Sequence, residues 1–279
     1  MIKFIRRHKF WCALGAIGTI YLIIRLFLVP PILDQTYFSR AYYDTNGRLM
    51  RLTLSADEKY RLYTPLSEIA PDAARAIILY EDKYFYMHPG INPVSLAKAT
   101  LGYFRTNARP VGASTITMQV ARMRYNLNTK RPAGKLIQIA AAIYLDAFHS
   151  KREILEAYLN LAPYGGNIEG IGAASLIFFQ KRAADLTTIE SITLATIPQN
   201  PTNRNISTPA GMSNIMKMRG DLVRRWTRAH GDNGTLTTMA QMPLAAHGVR
   251  ELPFYAPHFI NREIINNDKY RPNMGPTPS

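Results

Sequence analysis

The sequence predicts a mainly α-helical protein, preceded by one apolar membrane-length segment and a small β-hairpin element. Three observations carry that expectation. Helical periodicity bracketed by cap residues runs from residue 65 onward, strand-like alternation is confined to 38–63, and Phe10–Val29 is apolar apart from Arg25. The chain has 279 residues, enough to bury a sizeable core. Apolar residues make up 47% and charged residues 19%, which excludes both a disordered chain and a polytopic membrane protein.

The apolar run comes first. At about 1.5 Å per residue, Phe10–Val29 reaches about 30 Å, the thickness of a hydrocarbon core. Arg25 lies near its end, where its head could snorkel to the interface. A cleaved signal peptide would have a shorter apolar stretch and a small-residue cleavage site, and LFLVPPILDQ offers none. The expectation is an uncleaved anchor over 10–29. Lys3, Arg6, Arg7 and Lys9 keep residues 1–9 in the cytoplasm, and everything after about residue 30 lies outside the bilayer. The only cysteine, Cys12, falls inside this run, which excludes an intramolecular disulfide and any cysteine-based metal cluster.

Next, RAYYDTNGRLMRLTL alternates around Asn46-Gly47, a pair that favours a tight hairpin turn. Ser55–Glu58 reads as a second turn and KYRLY as a third short strand, giving a β element over 38–64. Pro71 suits the first turn of a helix through AARAIILYE. Asn92-Pro93 starts another, and Ser114 or Thr115 caps a third. A long helix covers about Lys135 to His149. Ser150 with Glu153, and Thr187 with Glu190, are capping boxes. Pro198 and Pro201 break the chain, and Ser213 to about His230 reads as an amphipathic helix. Together these form a helical domain over 65–232. HGDNG, Pro243, Pro253, Pro257 and the closing PNMGPTPS mark 233–279 as an irregular linker and tail.

Charge points to an anionic partner. Lys plus Arg total 34 against 19 Asp plus Glu, a net +15, which suits nucleic acid, acidic lipid or a phosphorylated substrate. No acid lies between Asp82 and Asp146. The same stretch carries Lys83, Lys98, Arg105, Arg109, Arg122, Arg124, Lys130, Arg131 and Lys135. An ordinary solvated face mixes both signs, so this stretch expects an anion, whether a ligand or acidic lipid headgroups.

Around that stretch lie five blocks. They are Glu81-Asp82 with Phe85, His88 and Gly90; Gly112 with Ser114-Thr115-Ile-Thr117-Met-Gln119 and Arg122; and Gly134-Lys135 with Gln138. The last two are Lys151 with Ile154-Leu155, Tyr158-Leu159-Asn160, and Tyr164-Gly165-Gly166-Asn167 with Gly170. In order and spacing they resemble the glycosyltransferase family 51 domain, over about residues 65–205. That family comprises the peptidoglycan transglycosylases of class A penicillin-binding proteins and the monofunctional transglycosylases. The hairpin, PYGGNIEGIGAAS, IPQNP and the late YAPHF are most similar to its penicillin-binding protein 1C branch.

The resemblance implies a lysozyme-like, two-lobed transglycosylase domain that polymerises lipid II. The acceptor GlcNAc 4-hydroxyl attacks C1 of the donor MurNAc, configuration inverts, and undecaprenyl pyrophosphate leaves. A sugar hydroxyl needs a base, worth roughly 10²–10⁴ in rate. Glu81 matches the family's catalytic Glu. The pyrophosphate needs neutralisation, which falls to Arg122 and Lys135, matching family cations. Ser114, Thr115, Thr117 and Gln119 suit hydrogen bonds to sugar or pyrophosphate, with Ser114 alternatively only a cap. Asp82 belongs to the substrate-binding set while ordering its loop. Lys151 begins a helix, where a cation opposes the macrodipole, so it takes a ligand or an ion pair. His88 reads as loop-positioning, Asn160 as structural, and Phe85, Tyr158 and Leu159 as packing.

Two departures stand out. The family's second Glu in the third block is Gln138 here, and its Arg is replaced by Gly134. Gln cannot act as a base or hold a cation by charge, though it can still bond phosphate or sugar. This puts a divalent cation (magnesium or manganese) at the pyrophosphate in question. No cofactor is required, and no residues are assigned to a metal. Ser95-Leu-Ala-Lys98 matches S-x-x-K, but no S-D-N or K-T-G partner follows, so no transpeptidase activity is expected. Expected partners are lipid II, the nascent glycan strand, membrane lipid and a transpeptidase acting in trans, with no nucleic acid. Competing readings are a lysozyme-like glycan-cleaving enzyme and a weak or inactive cell-wall scaffold. The expected place is the bacterial inner membrane, single-pass, with the catalytic domain periplasmic.

Overall fold

The structure, a computed structural model, describes residues 2–97, 114–231 and 234–262, with the backbone course alone for 2–10, 13 and 14. Lys98, Arg105 and Arg109 of the cationic stretch, Lys98 of the S-x-x-K match, Gly112 of the second block and the closing PNMGPTPS lie outside the described residues.

The N-terminal helix α1 (Ile2–Ile23) runs into a π-helical turn, Ile24–Leu28. The apolar run is thus divided between two elements, and the basic residues Arg6, Arg7 and Lys9 occupy the start of α1. Among the described residues no helix is long and apolar enough to cross a membrane. Arg25 does not extend freely: it pairs with Glu153 at 3.5 Å.

Strands β1 (Ala41–Tyr43) and β2 (Leu49–Leu52) form the antiparallel hairpin. Its connection is longer than a two-residue Asn-Gly turn. Tyr43 pairs with Leu49, and the Asp44 carboxylate accepts from the backbone N–H of Asn46 and Arg48. Only Gly47 takes a positive φ (77°), whereas the tight turn would need one at Asn46 as well. Residues 59–63 form a single bridge, Tyr60 to Ile168, rather than a third strand.

Helix α2 (Pro71–Glu81) has Pro71 in its first turn, where the missing N–H costs nothing. Asn92 caps a helical turn at 93–97 by accepting from the Ser95 N–H. Thr115 caps α3 (Ile116–Arg124), and α4 (Pro132–Phe148) begins at Pro132, a turn earlier than expected. Both capping boxes form, starting α5 (Lys151–Leu161) and α7 (Thr188–Ala195). Between them lie strands β3 (Pro163–Gly165) and β4 (Ile168–Glu169) and helix α6 (Ile171–Phe179). Every residue of α6 is buried, as a helix apolar on all sides requires. Thr208 caps α8 (Pro209–His230), and α9 (Thr235–Met239) follows.

The helices sort by contact into two groups, α2 with α7 and α8, and α3 with α4 and α5, over one continuous core. The segment after α8 is docked rather than trailing. The buried Arg219 of α8 donates to the carbonyls of Ala240 and Met242, the His247 N–H donates to the Phe178 carbonyl, and the Tyr255 N–H donates to the Met50 carbonyl. Proline and glycine removed helix periodicity here without removing these backbone partners.

Candidate active site

Glu81 is the last residue of α2, so it stands where the α2 group faces α3. Its Oε2 accepts from the Gln119 amide at 2.8 Å. Burial raises its pKa above the ordinary glutamate range, and the neighbouring Asp82 adds to the rise. The Gln119 hydrogen bond and the Arg204 and Arg122 guanidinium groups oppose it. A carboxyl with raised proton affinity in reach of cations suits a general base working near neutral pH.

One turn beyond Gln119 on the same helix face is Arg122. Among the described residues no hydrogen bond or ion pair holds its guanidinium. It acts electrostatically on Glu81 and also on Lys135, which it and burial push below the usual lysine pKa, burial more strongly. The Lys135 ammonium donates to Ser114 Oγ at 3.0 Å and to Gln138 Oε1 at 2.9 Å. Both partners are neutral, and an ammonium has a third N–H to give. Gln138 is buried and donates in turn to the Met118 carbonyl at 2.6 Å. A glutamate there would neutralise Lys135; the glutamine fixes it while leaving its charge uncompensated. Gly134 also has a local cause, because a Cβ there would stand 1.9 Å from the Asn128 carbonyl oxygen.

The other expected site residues lie elsewhere. Asp82 is buried, accepts from His88 Nε2 at 3.0 Å, and accepts from the Ile116 N–H at 3.0 Å. It therefore ties loop 82–90 to the start of α3. Thr115 caps α3 and donates to the Gly90 carbonyl at 2.6 Å. Gly90 takes φ 75° and packs against α4, where a Cβ would lie 2.4 Å from the Ala142 carbonyl oxygen. Thr117 is fully buried, so neither threonine is presented to the cleft. Lys151 pairs with Asp146 at 2.5 Å, donates to the His88 carbonyl at 2.7 Å and sits over the Phe85 ring. Asn160 is buried and brackets Thr64, accepting from its N–H and donating to its carbonyl.

Several residues near Glu81 were given no site role by sequence. The buried hydroxyls of Tyr158 (α5) and Tyr164 (β3) lie within electrostatic range of its carboxylate; burial raises both pKa values and Glu81 raises them further. Tyr158 was read as packing only, since spacing shows burial but not what the hydroxyl faces. Arg204 comes from the proline-interrupted segment after α7, where no periodicity points to Glu81. Beyond Arg122 a polar cleft of about 650 Å³ opens between α3 and the β element, lined also by Arg124, Lys59 and Arg61. A larger cavity, about 910 Å³, lies between the hairpin and the end of α6 and shares no residue with this site. Among the described residues no cluster of His, Cys, Asp or Glu could hold a metal.

Comparison with known proteins bears on the same region. The family model described as transglycosylase matches residues 46–225. Penicillin-binding protein 1C of Escherichia coli is 42% identical over 174 residues, 62% of this chain and 22% of that protein. Penicillin-binding protein 2D of Bacillus subtilis is 34% identical over 206 residues, 72% of this chain and 29% of that protein. Penicillin-binding protein 1A of Vibrio cholerae is 35% identical over 155 residues, 56% of this chain and 19% of that protein. The chain thus spans less than a third of the length of these relatives. A crystal structure of penicillin-binding protein 1A from Haemophilus influenzae aligns over 83% of this chain at 16% identity with a TM-score of 0.42, too distant to carry an argument. The family match covers well over half of the chain, and with it the five blocks and Glu81: this chain belongs to the transglycosylase family, of the glycosyltransferase 51 type found in class A penicillin-binding proteins.

Proposed function

We propose that this chain is a peptidoglycan glycosyltransferase that extends glycan strands from lipid II. The observation that carries the reading is the juxtaposition of a partly buried, hydrogen-bonded Glu81 with Arg122, one turn beyond its Gln119 partner and without a hydrogen-bond or ion-pair partner among the described residues. In this reading the Glu81 carboxylate accepts the proton of the acceptor 4-hydroxyl. The oxygen's electron pair forms the new bond to donor C1 as the C1–O bond to the diphosphate breaks. The leaving pair stays on the diphosphate, and Arg122 and the third N–H of Lys135 neutralise it. Attack opposite the leaving group inverts C1. Support for a polymerase over a glycan-cleaving lysozyme-like enzyme comes from these cations, since a finished strand has no diphosphate to neutralise.

A divalent cation is not needed by this account. Lys135 occupies the Gln138 oxygen, and Asp82 is engaged by His88 and Ile116, so these side chains do not fit a protein-held metal.

We also read the chain as anchored by its N-terminal segment, with the catalytic domain on the outer face of the inner membrane. Tyr21 of α1 donates to the Ala147 carbonyl at 2.5 Å and stacks on Phe148. From there α4 presents the exposed residues Leu136, Ile137, Ile143 and Tyr144, and loop 82–90 presents Tyr84, Tyr86 and Met87. These exposed apolar side chains suit a bilayer that delivers a lipid-linked substrate. The partners this reading calls for are the nascent strand, membrane lipid and a transpeptidase acting in trans.

The test is polymerisation of labelled lipid II by the purified protein. Long strands are expected, with Glu81→Gln folded and at least about 10²-fold slower. Near-normal turnover in that variant would remove the base assignment. Shortening of preformed glycan instead of synthesis would favour the lysozyme-like reading. Binding to synthase partners with neither activity would favour a scaffold.

A further inference from the structure

Two guanidinium groups act electrostatically on Glu81, and they are held differently. Arg122 has no hydrogen-bond or ion-pair partner among the described residues. Arg204 is held by three hydrogen bonds. Its Nη1 donates to Tyr80 Oη at 2.8 Å and to the Thr196 carbonyl at 2.5 Å, and its Nη2 donates to Gln199 Oε1 at 3.2 Å. Tyr80 closes the ring by donating to the same Gln199 oxygen at 3.0 Å. Tyr80 directly precedes Glu81 on α2, so this ring fixes Arg204 to the end of the helix that carries the carboxylate.

We propose that Arg204 is a positioning residue: locked by Tyr80, Thr196 and Gln199, it stays beside Glu81 as a standing counter-charge while Arg122 is drawn onto the departing diphosphate. This rests on the reading of Glu81 as base and Arg122 as diphosphate cation. A free guanidinium swings to an incoming anion and is neutralised by it. A guanidinium already committed to three protein acceptors is not drawn away. The surroundings of Glu81 make the distinction matter. Burial, the adjacent Asp82 and its place at a helix C-terminus all disfavour the anion. Tyr80 on its own helix, Tyr158 on α5 and Tyr164 on β3 bring neutral hydroxyls to this region. Gln119, Arg122 and Arg204 favour the anion. Once a diphosphate cancels Arg122, Arg204 is the cation left to keep Glu81 a base when the hydroxyl needs one.

The experiment is the pH dependence of kcat for lipid II polymerisation in wild type, Arg204→Gln and Arg204→Lys. Removing a cation raises a carboxyl's proton affinity, so the acid limb should move to higher pH. Arg204→Gln should be about tenfold slower on the acid side, recover to within about twofold on the alkaline plateau, and keep its KM. Arg204→Lys keeps the charge and should keep the limb near that of wild type. The double variant Tyr80→Phe/Gln199→Leu loosens the guanidinium without deleting it, leaving it the Thr196 carbonyl alone, and should move the limb the same way; it carries the test if Arg204→Gln does not fold. A uniform deficit at every pH, an unmoved limb in Arg204→Gln (or, if that does not fold, in the double variant), or a raised KM with an unmoved limb would overturn the proposal. A wild-type profile with no acid limb, or near-normal turnover in Glu81→Gln, would instead remove the base assignment beneath it.

Discussion

Two regions meet at Glu81-Asp82, and they treat charge in opposite ways. On the loop side, Asp82 faces His88, Lys151 faces Asp146, and Thr115 is bonded to Gly90. On the cleft side, among the described residues Arg122 has no hydrogen-bond or ion-pair partner, and the Lys135 ammonium donates only to the neutral Ser114 and Gln138. Both regions are built from residues of the same sequence blocks. The difference teaches that charge answered within the protein builds the loop, whereas charge fixed but unanswered is available to a ligand. Block membership alone grouped Asp82 and Lys151 with Arg122 and Lys135; their partners separate them.

Two substitutions break this comparison most strongly if it is wrong. Asp82→Ala strips a buried acceptor from both His88 and the Ile116 N–H, whose desolvation is then uncompensated. A loss of about 3 kcal/mol in unfolding free energy is expected, read by denaturant titration, with activity falling as the loop loosens. Arg122→Gln should do the reverse. Turnover on lipid II should fall about 10²-fold with the denaturation midpoint unchanged, because among the described residues no group loses a hydrogen-bond partner. Equal destabilisation by both variants would mean that Arg122 is as structural as Asp82.

How much of this was legible follows from how local each signal is. The capping boxes at Ser150 and Thr187 need only residues three apart, and both formed. The α2 helix, with Pro71 opening it and Glu81 closing it, was readable for the same reason. The hairpin was legible as a hairpin but not in its turn, because the Asp44 side chain competes for the backbone N–H groups that a tight turn would use. Arg204 was not legible, since its link to Glu81 exists only through the folded contact with Tyr80. The segment after α8 read as irregular because proline and glycine removed its periodicity, yet Arg219 and Phe178 hold its backbone.

Lys151 sharpens the comparison with the smallest expected effect. As the first residue of α5 it sets a positive charge at the positive end of a helix, which disfavours it by about 0.3–1 kcal/mol. The sequence left a ligand or an ion pair as the reason to keep it there. Asp146, in the last turn of α4 and 13% exposed at its side chain, supplies the pair, while the His88 carbonyl and the Phe85 face take up the rest of the ammonium. Lys151→Met keeps most of the aliphatic stem and deletes the charge. It relieves the dipole conflict but leaves Asp146 and the His88 carbonyl without their donor, so the balance should be a modest loss of about 1 kcal/mol. KM for lipid II should change by less than about twofold, because the ammonium is spent on protein groups. A large rise in KM with unchanged stability would move Lys151 across to the cleft side and show that a charge can be paired in the resting protein yet still be claimed by the ligand.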